Sequence, residues 1–188
     1  MLIILVSVAT AAIMAPLAIA FILTVMVYAG WPVSGAHYNP AVTLAVWVKK
    51  RIKLKDIPGY IIAQLAAVYS ASFISIYLVG ETERQYVDPL VAPIPEFLGT
   101  FALVFVILNV AISEKSKGNA YYGLAIGLTV GALAYAFGPL SGGALNPAVT
   151  LGAMDAGLLS PDLWWKYFLA QFTGSLLAVA VFSFTDRE

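Results

Sequence analysis

Very few groups in this chain could do chemistry. It has a single histidine, His37, no cysteine, and ten acidic residues against ten Lys and Arg, for a formal net charge of zero. Without cysteine there is no thiolate nucleophile, no thiolate metal site and no disulfide framework, and the redox compartment is left open. A lone histidine has no partners for a metal site. The polar groups set in apolar surroundings are Glu96, Gln64, Gln171 and two asparagines, Asn39 and Asn146, which share a string spelled twice. Residues 34 to 44 read SGAHYNPAVTL and residues 141 to 151 read SGGALNPAVTL, so eight of eleven positions match at an offset of 107. Asn-Pro-Ala ahead of an apolar run is a helix start. The Asn oxygen caps free backbone N–H groups, and Pro at the first helical position lacks a donor that would otherwise go unpaired. The residues concerned are Asn39, Pro40 and Ala41, and Asn146, Pro147 and Ala148. An amide whose oxygen is engaged as a cap keeps its N–H₂ as a donor, beside a helix end that carries about half a positive charge. The alternatives are ordinary N-caps or donors aimed at something polar that passes.

Hydrolytic or transfer chemistry would need paired acids, Ser with His, or a metal cluster. Glu96 with His37, in different halves of the chain, is the only candidate pair, so the sequence does not read as an enzyme, and it calls for no cofactor and no metal. Composition sets the environment: 61% of residues are hydrophobic, 11% are charged and the mean hydropathy is +0.90, far outside the soluble globular range. Segments long enough to cross about 30 Å of hydrocarbon as helix fall at 13–31, 57–79, 94–113, 120–140 and 163–184. No ten-residue alternation suggests barrel strands, and ten scattered Lys and Arg build no basic face for nucleic acid. The apolar start lacks a basic leader or a small-residue cleavage site, so it reads as part of a span.

The repeat orders these segments. Its offset extends beyond the strings, from Leu17-Ala18-Ile19 onto Leu124-Ala125-Ile126 and from Ala63-Gln64 onto Ala170-Gln171. The chain is thus one membrane domain over 1–188, with a first repeat at 1–80 and a second at 94–188. Each half is expected to hold three spans and one short helix, at 41–48 and at 148–158. Half two opens at Glu96, whose counterpart falls twelve residues before Met1, so the first span is expected to be short, with residues 2–12 forming only its last three turns, about 16 Å. An eight-residue helix is about 12 Å long, enters the membrane part way and returns to the same side. Three spans per half make the repeat inverted, with the two half-helices entering from opposite faces. Lys and Arg cluster at residues 49–56, at 113–119 and at Arg187, which predicts these segments, and with them the C-terminus, to be cytoplasmic; Arg84 and Lys166 fall on the other side.

The paired SGxxxNPAVTL strings, the EFLGTF opening at residue 96 and the Ala-Gln pair in each half resemble the aquaporin and glycerol-channel (major intrinsic protein) family. The resemblance implies an all-α integral membrane fold, an aquaporin-like right-handed bundle, assembled as a homotetramer in a lipid bilayer of the cell membrane. It implies a passive channel for water or small neutral solutes of the glycerol, urea, ammonia and hydrogen peroxide class, with ions and protons excluded at the two asparagines. It also implies an outer constriction whose four positions fall at Ile19, Ala134, Gly143 and Val149. Water-selective members mostly carry His at the second and Arg at the fourth, so Ala134 and Val149 predict a wider, more apolar filter. In the family a Glu at the Glu96 position accepts backbone N–H bonds from the re-entrant loop, and His at the His37 position packs beside the pore; a pH gate is the other reading of His37. A short first span also admits a non-conducting, structural member of the same family.

Overall fold

In the computed structural model, residues 14–80 and 83–186 are described. The expected short span at 2–12 lies outside them, as do Glu81 and Arg187. The helices are α1 (Ala15–Ser34), α2 (Pro40–Val48), α3 (Ile57–Val79), α4 (Pro93–Ile107), α5 (Tyr122–Ser141), α6 (Pro147–Asp155) and α7 (Trp164–Thr185). A π-helical turn, Leu108–Ile112, extends α4. Five of these segments are long and apolar enough to cross a membrane: Ala15–Ser34, Leu54–Val79, Pro93–Ile112, Tyr122–Ser141 and Pro161–Thr185. They coincide with the expected spans to within a few residues.

Prolines and glycines account for the ends. Proline occupies the first turn of α1, α2, α3, α4 and α6, where the missing N–H costs nothing. Pro32 and Pro139 lie in the last turns of α1 and α5, 107 residues apart, and each denies a donor to the preceding turn. Gly35 and Gly142 then close the two helices in the left-handed region, at φ 71° and 82°. The second short helix ends at Asp155, three residues before the expected 158. Gly157 at φ 77° turns the chain, and the Ala153 carbonyl accepts from the Leu158 N–H at 2.8 Å, so the helix is closed by a glycine that the apolar run concealed.

The most extensive packing pairs are α4 with α7 and α1 with α5. The α1–α5 crossing is close because α5 supplies Gly127 and Gly131 where α1 presents Thr24, Ala20 and Pro16; small residues let helix backbones approach in a membrane. Val27, Val42, Val46, Leu103, Val104, Ile126 and Phe182 form a core that joins α2 to four longer helices.

The two short helices point at each other. At the end of α2, the Lys49 ammonium bonds the Ser183 hydroxyl (3.1 Å) and the Arg51 guanidinium bonds the Ile112 carbonyl (3.1 Å), so α2 finishes beside the C-terminal ends of α4 and α7. Beyond α6, the Leu158 carbonyl accepts from the Gln85 N–H, and Leu159 packs with Val87, Ala92 and Leu163, next to the starts of α4 and α7. The C-termini of α2 and α6 therefore lie at opposite ends of the bundle while their N-termini meet inside it.

Gly127→Ala is expected to destabilise the detergent-solubilised protein by about 1–3 kcal/mol, because the new Cβ meets the Ala20 carbonyl, which belongs to backbone. Gly59→Ala, where a Cβ meets nothing within 4 Å, serves as the neutral control in the same unfolding measurement.

Candidate functional site

Both asparagines sit where α2 and α6 begin, and their two polar ends do different work. Asn39 Oδ1 accepts from the Ala41 N–H at 2.8 Å. Asn146 Oδ1 accepts from Ala148 at 3.0 Å and Val149 at 3.4 Å. The nitrogens cross to the opposite half: Asn39 Nδ2 donates to the Leu145 carbonyl and Asn146 Nδ2 to the Tyr38 carbonyl, each at 2.9 Å. This corrects the expectation of a wholly free amide. A carbonyl beside each helix tip would lack a partner in an apolar interior, and one of the two N–H bonds of each amide goes to it. One N–H per asparagine remains for the cavity that both residues line.

The loops that present these tips adopt one unusual backbone twice. Ala36 and Gly143 have φ 49° and 60°, and Tyr38 and Leu145 have φ 49° and 50°. Left-handed geometry at three non-glycine residues is costly, so something must hold it. For the second loop the holder is Glu96, fully buried. Its Oε1 accepts from the Ser141 hydroxyl (2.7 Å) and the Ala144 N–H (3.0 Å), and its Oε2 from the Leu145 N–H and Gln171 Nε2 (both 2.7 Å).

Further supports repeat at the same offset. Gln64 Nε2 donates to Thr43 Oγ1 at 3.0 Å and Gln171 Nε2 to Thr150 Oγ1 at 2.9 Å. The Tyr60 hydroxyl donates to the Ser34 carbonyl and the Tyr167 hydroxyl to the Ser141 carbonyl. These tyrosines and threonines were missed as site residues, although extending the ruler of 107 from the asparagines reaches each pair.

His37 stacks on Tyr60, with ring centroids 4.5 Å apart and planes inclined by 16°. Its Nδ1 lies 3.2 Å from Thr43 Oγ1. That hydroxyl spends its proton on the Asn39 carbonyl (3.0 Å) and accepts from Gln64, so His37 must donate from Nδ1. The ring borders the cavity.

The cavity has a volume of about 920 Å³ and runs from Arg51, Glu114 and Lys117 at one mouth, past Asn39 and Asn146, to Leu159 and Gln85 at the other. Ile19, Ala134, Gly143 and Val149 all line it, on the Gln85 side of the asparagines. Gly143 and Ala134 are close neighbours, since a Cβ on Gly143 would lie 3.5 Å from the Ala134 Cα. Charged lining residues occur only at the first mouth among the described residues. There the hydrogen bond from Arg51, reinforced by Lys117, holds the exposed Glu114 carboxyl below the usual range. Among the described residues no cluster of His, Asp and Glu could hold a metal ion.

Two helix tips facing each other across a cavity that threads an apolar bundle is the geometry of a pore. A family model described as major intrinsic protein matches residues 4–118 and again residues 83–188. The chain belongs to the major intrinsic protein family. Members of this family are passive channels for water and small solutes and not enzymes. The chain is similar to glycerol uptake facilitator protein-like 6 of Lactiplantibacillus plantarum, at 41% identity over 86% of this chain and 80% of that protein. It is also similar to aquaporin AqpM of Methanothermobacter thermautotrophicus, at 32% identity over 92% of this chain and 76% of that protein. Its fold matches the X-ray structure of the aquaglyceroporin from Plasmodium falciparum with a TM-score of 0.74, covering 96% of this chain and 87% of that one, at 21% identity.

In this channel protein Glu96→Gln is expected to lower stability by about 1–3 kcal/mol. The new amide nitrogen must face either the Ala144 N–H or the Leu145 N–H, and neither can turn to accept. Thermal unfolding in detergent reads the loss; an unchanged midpoint would show that the second loop holds its shape without the carboxylate.

Proposed function

We propose that this member conducts small uncharged solutes, glycerol and urea among them, together with water, along the cavity between the two helix tips, and that it excludes ions and protons. The observation that carries the solute reading is the aliphatic lining that four residues assigned to the outer constriction give the cavity. Ile19, Ala134, Gly143 and Val149 offer aliphatic surface and no charged donor, so a passing molecule meets neither a guanidinium that must be matched nor the bulk of large polar side chains. A solute with a carbon skeleton loses less there than it would between two strong donors that each prefer water. The similarity to a glycerol uptake facilitator supports the same choice.

Ion exclusion is assigned to the centre. Two helix N-termini place partial positive charge at one point of the path, and the remaining N–H of Asn39 and of Asn146 donates to a passing oxygen. A water held by both is an acceptor on that side and points its hydrogens away, which interrupts a proton wire. His37, donating to Thr43, is assigned to the lining of the half nearer Arg51. The two repeats, 1–80 and 94–188, act as one domain, with residues 49–56, 113–119 and the C-terminus in the cytoplasm, and four copies form the working assembly with one path each.

Stopped-flow light scattering of proteoliposomes, challenged in turn with an impermeant osmolyte, glycerol and urea, tests the reading. Solute and water flux above that of empty vesicles is expected. Flux equal to empty vesicles in every challenge would instead support a non-conducting, structural role. Val149→Arg is expected to cut glycerol flux by about ten-fold or more while reducing water flux less. An unchanged glycerol flux would remove Val149 from the constriction.

A further inference from the structure

The two re-entrant loops share a backbone but are held by different means. Leu145, with φ 50°, packs its side chain against Gly99 of α4. Its counterpart Tyr38, with φ 49°, reaches instead into its own repeat. The Tyr38 hydroxyl donates to the Met26 carbonyl of α1 at 3.1 Å. It lies over Gly30, where a Cβ would overlap the hydroxyl oxygen and come within 3.0 Å of Cζ. A glycine one helical turn beyond the accepting carbonyl is what lets the ring lie against α1.

The second loop has a carboxylate that gathers the Ala144 and Leu145 N–H groups. The corresponding N–H groups of the first loop belong to His37 and Tyr38, and these find no acceptor among the described residues. Within the described structure the Tyr38 hydroxyl therefore ties the first loop at the residue whose counterpart is held by Glu96. The same residue's carbonyl receives Asn146 Nδ2 at 2.9 Å. A shift of Tyr38 would move the acceptor that orients an amide at the pore centre.

We propose that Tyr38 is a positioning residue for the centre of the path: its hydroxyl, seated over Gly30, holds the first loop so that its carbonyl fixes the Asn146 amide. This rests on the reading of that cavity as the conducting path. The test is a double-mutant cycle of Tyr38→Phe and Gly30→Ala in the full chain, reconstituted in liposomes and read as the glycerol-to-water flux ratio. That ratio does not depend on the fraction of protein that folds, which a purely structural contact would alter. Gly30→Ala is expected to shift the ratio by about two-fold or more when Tyr38 is present, and to leave it within error of the Tyr38→Phe value in the double variant. Equal effects of Gly30→Ala in both backgrounds would overturn the proposal. So would coupling seen only in the detergent unfolding midpoint, since the contact would then be packing alone. Should Gly30→Ala not fold by itself, recovery of folded protein on adding Tyr38→Phe is expected, and failure of the double variant counts against the clamp. A wild type without flux above empty vesicles fails the channel reading and this proposal with it, whereas a conducting wild type with additive ratios fails this proposal alone.

Discussion

Everything in this fold depends on two crossed hydrogen bonds, from the Asn39 amide to the Leu145 carbonyl and from the Asn146 amide to the Tyr38 carbonyl. A helix that starts in the middle of a bilayer exposes unpaired N–H groups and a preceding loop with unpaired carbonyls. Neither is tolerable in hydrocarbon unless protein or lumen satisfies it. Asparagine answers both needs from one side chain, with its oxygen capping its own helix and its nitrogen closing the other half's loop. A serine or aspartate cap supplies the oxygen but has no amide nitrogen to give. The reciprocal pair also keys the halves together: neither tip can be positioned unless the other is.

Those bonds in turn need carbonyls aimed away from the usual backbone directions, which is why Ala36, Tyr38 and Leu145 have positive φ. The strain is spread over supports of ordinary strength. Tyrosine hydroxyls take the Ser34 and Ser141 carbonyls, threonine hydroxyls bond back to the asparagine carbonyls, and glutamines hold the threonines from the last span of each half. Each link is a bond of about 1 kcal/mol net, yet leaving any of them unmade inside the bundle costs more than making it gains. This asymmetry explains why an apolar chain keeps so many buried hydroxyl and amide groups on the helices around the tips.

Much of this was legible in the sequence because the constraint is written twice. Asn-Pro-Ala marks a helix start on local grounds, and its recurrence at 107 fixed which segments correspond. The spans followed from apolar length, and their ends from prolines and glycines. What stayed hidden depended on direction in space. Tyr60 and Tyr167 look like ordinary aromatic residues near span ends, and only the position of the Ser34 and Ser141 carbonyls makes them supports. The second amide hydrogen of each asparagine could not be assigned without knowing which carbonyl faced it. The end of α6 was misjudged by three residues, because Gly157 sits in a run whose neighbours are apolar and carry no polar stop signal.

The repeat is most informative where it breaks. The tips, their threonines, glutamines and tyrosines obey the offset, so the centre of the path is nearly symmetric. The mouths are not: Arg51, Glu114 and Lys117 ring one end of the cavity, while the other is lined by aliphatic groups and the neutral Gln85. The mouths take no part in the crossed bonds that set the tips. Under the proposed reading, selectivity by size and polarity can vary through the side chains of Ile19, Ala134 and Val149, which take no part in the crossed bonds, whereas Gly143, at φ 60°, belongs to the loop that sets the helix tip.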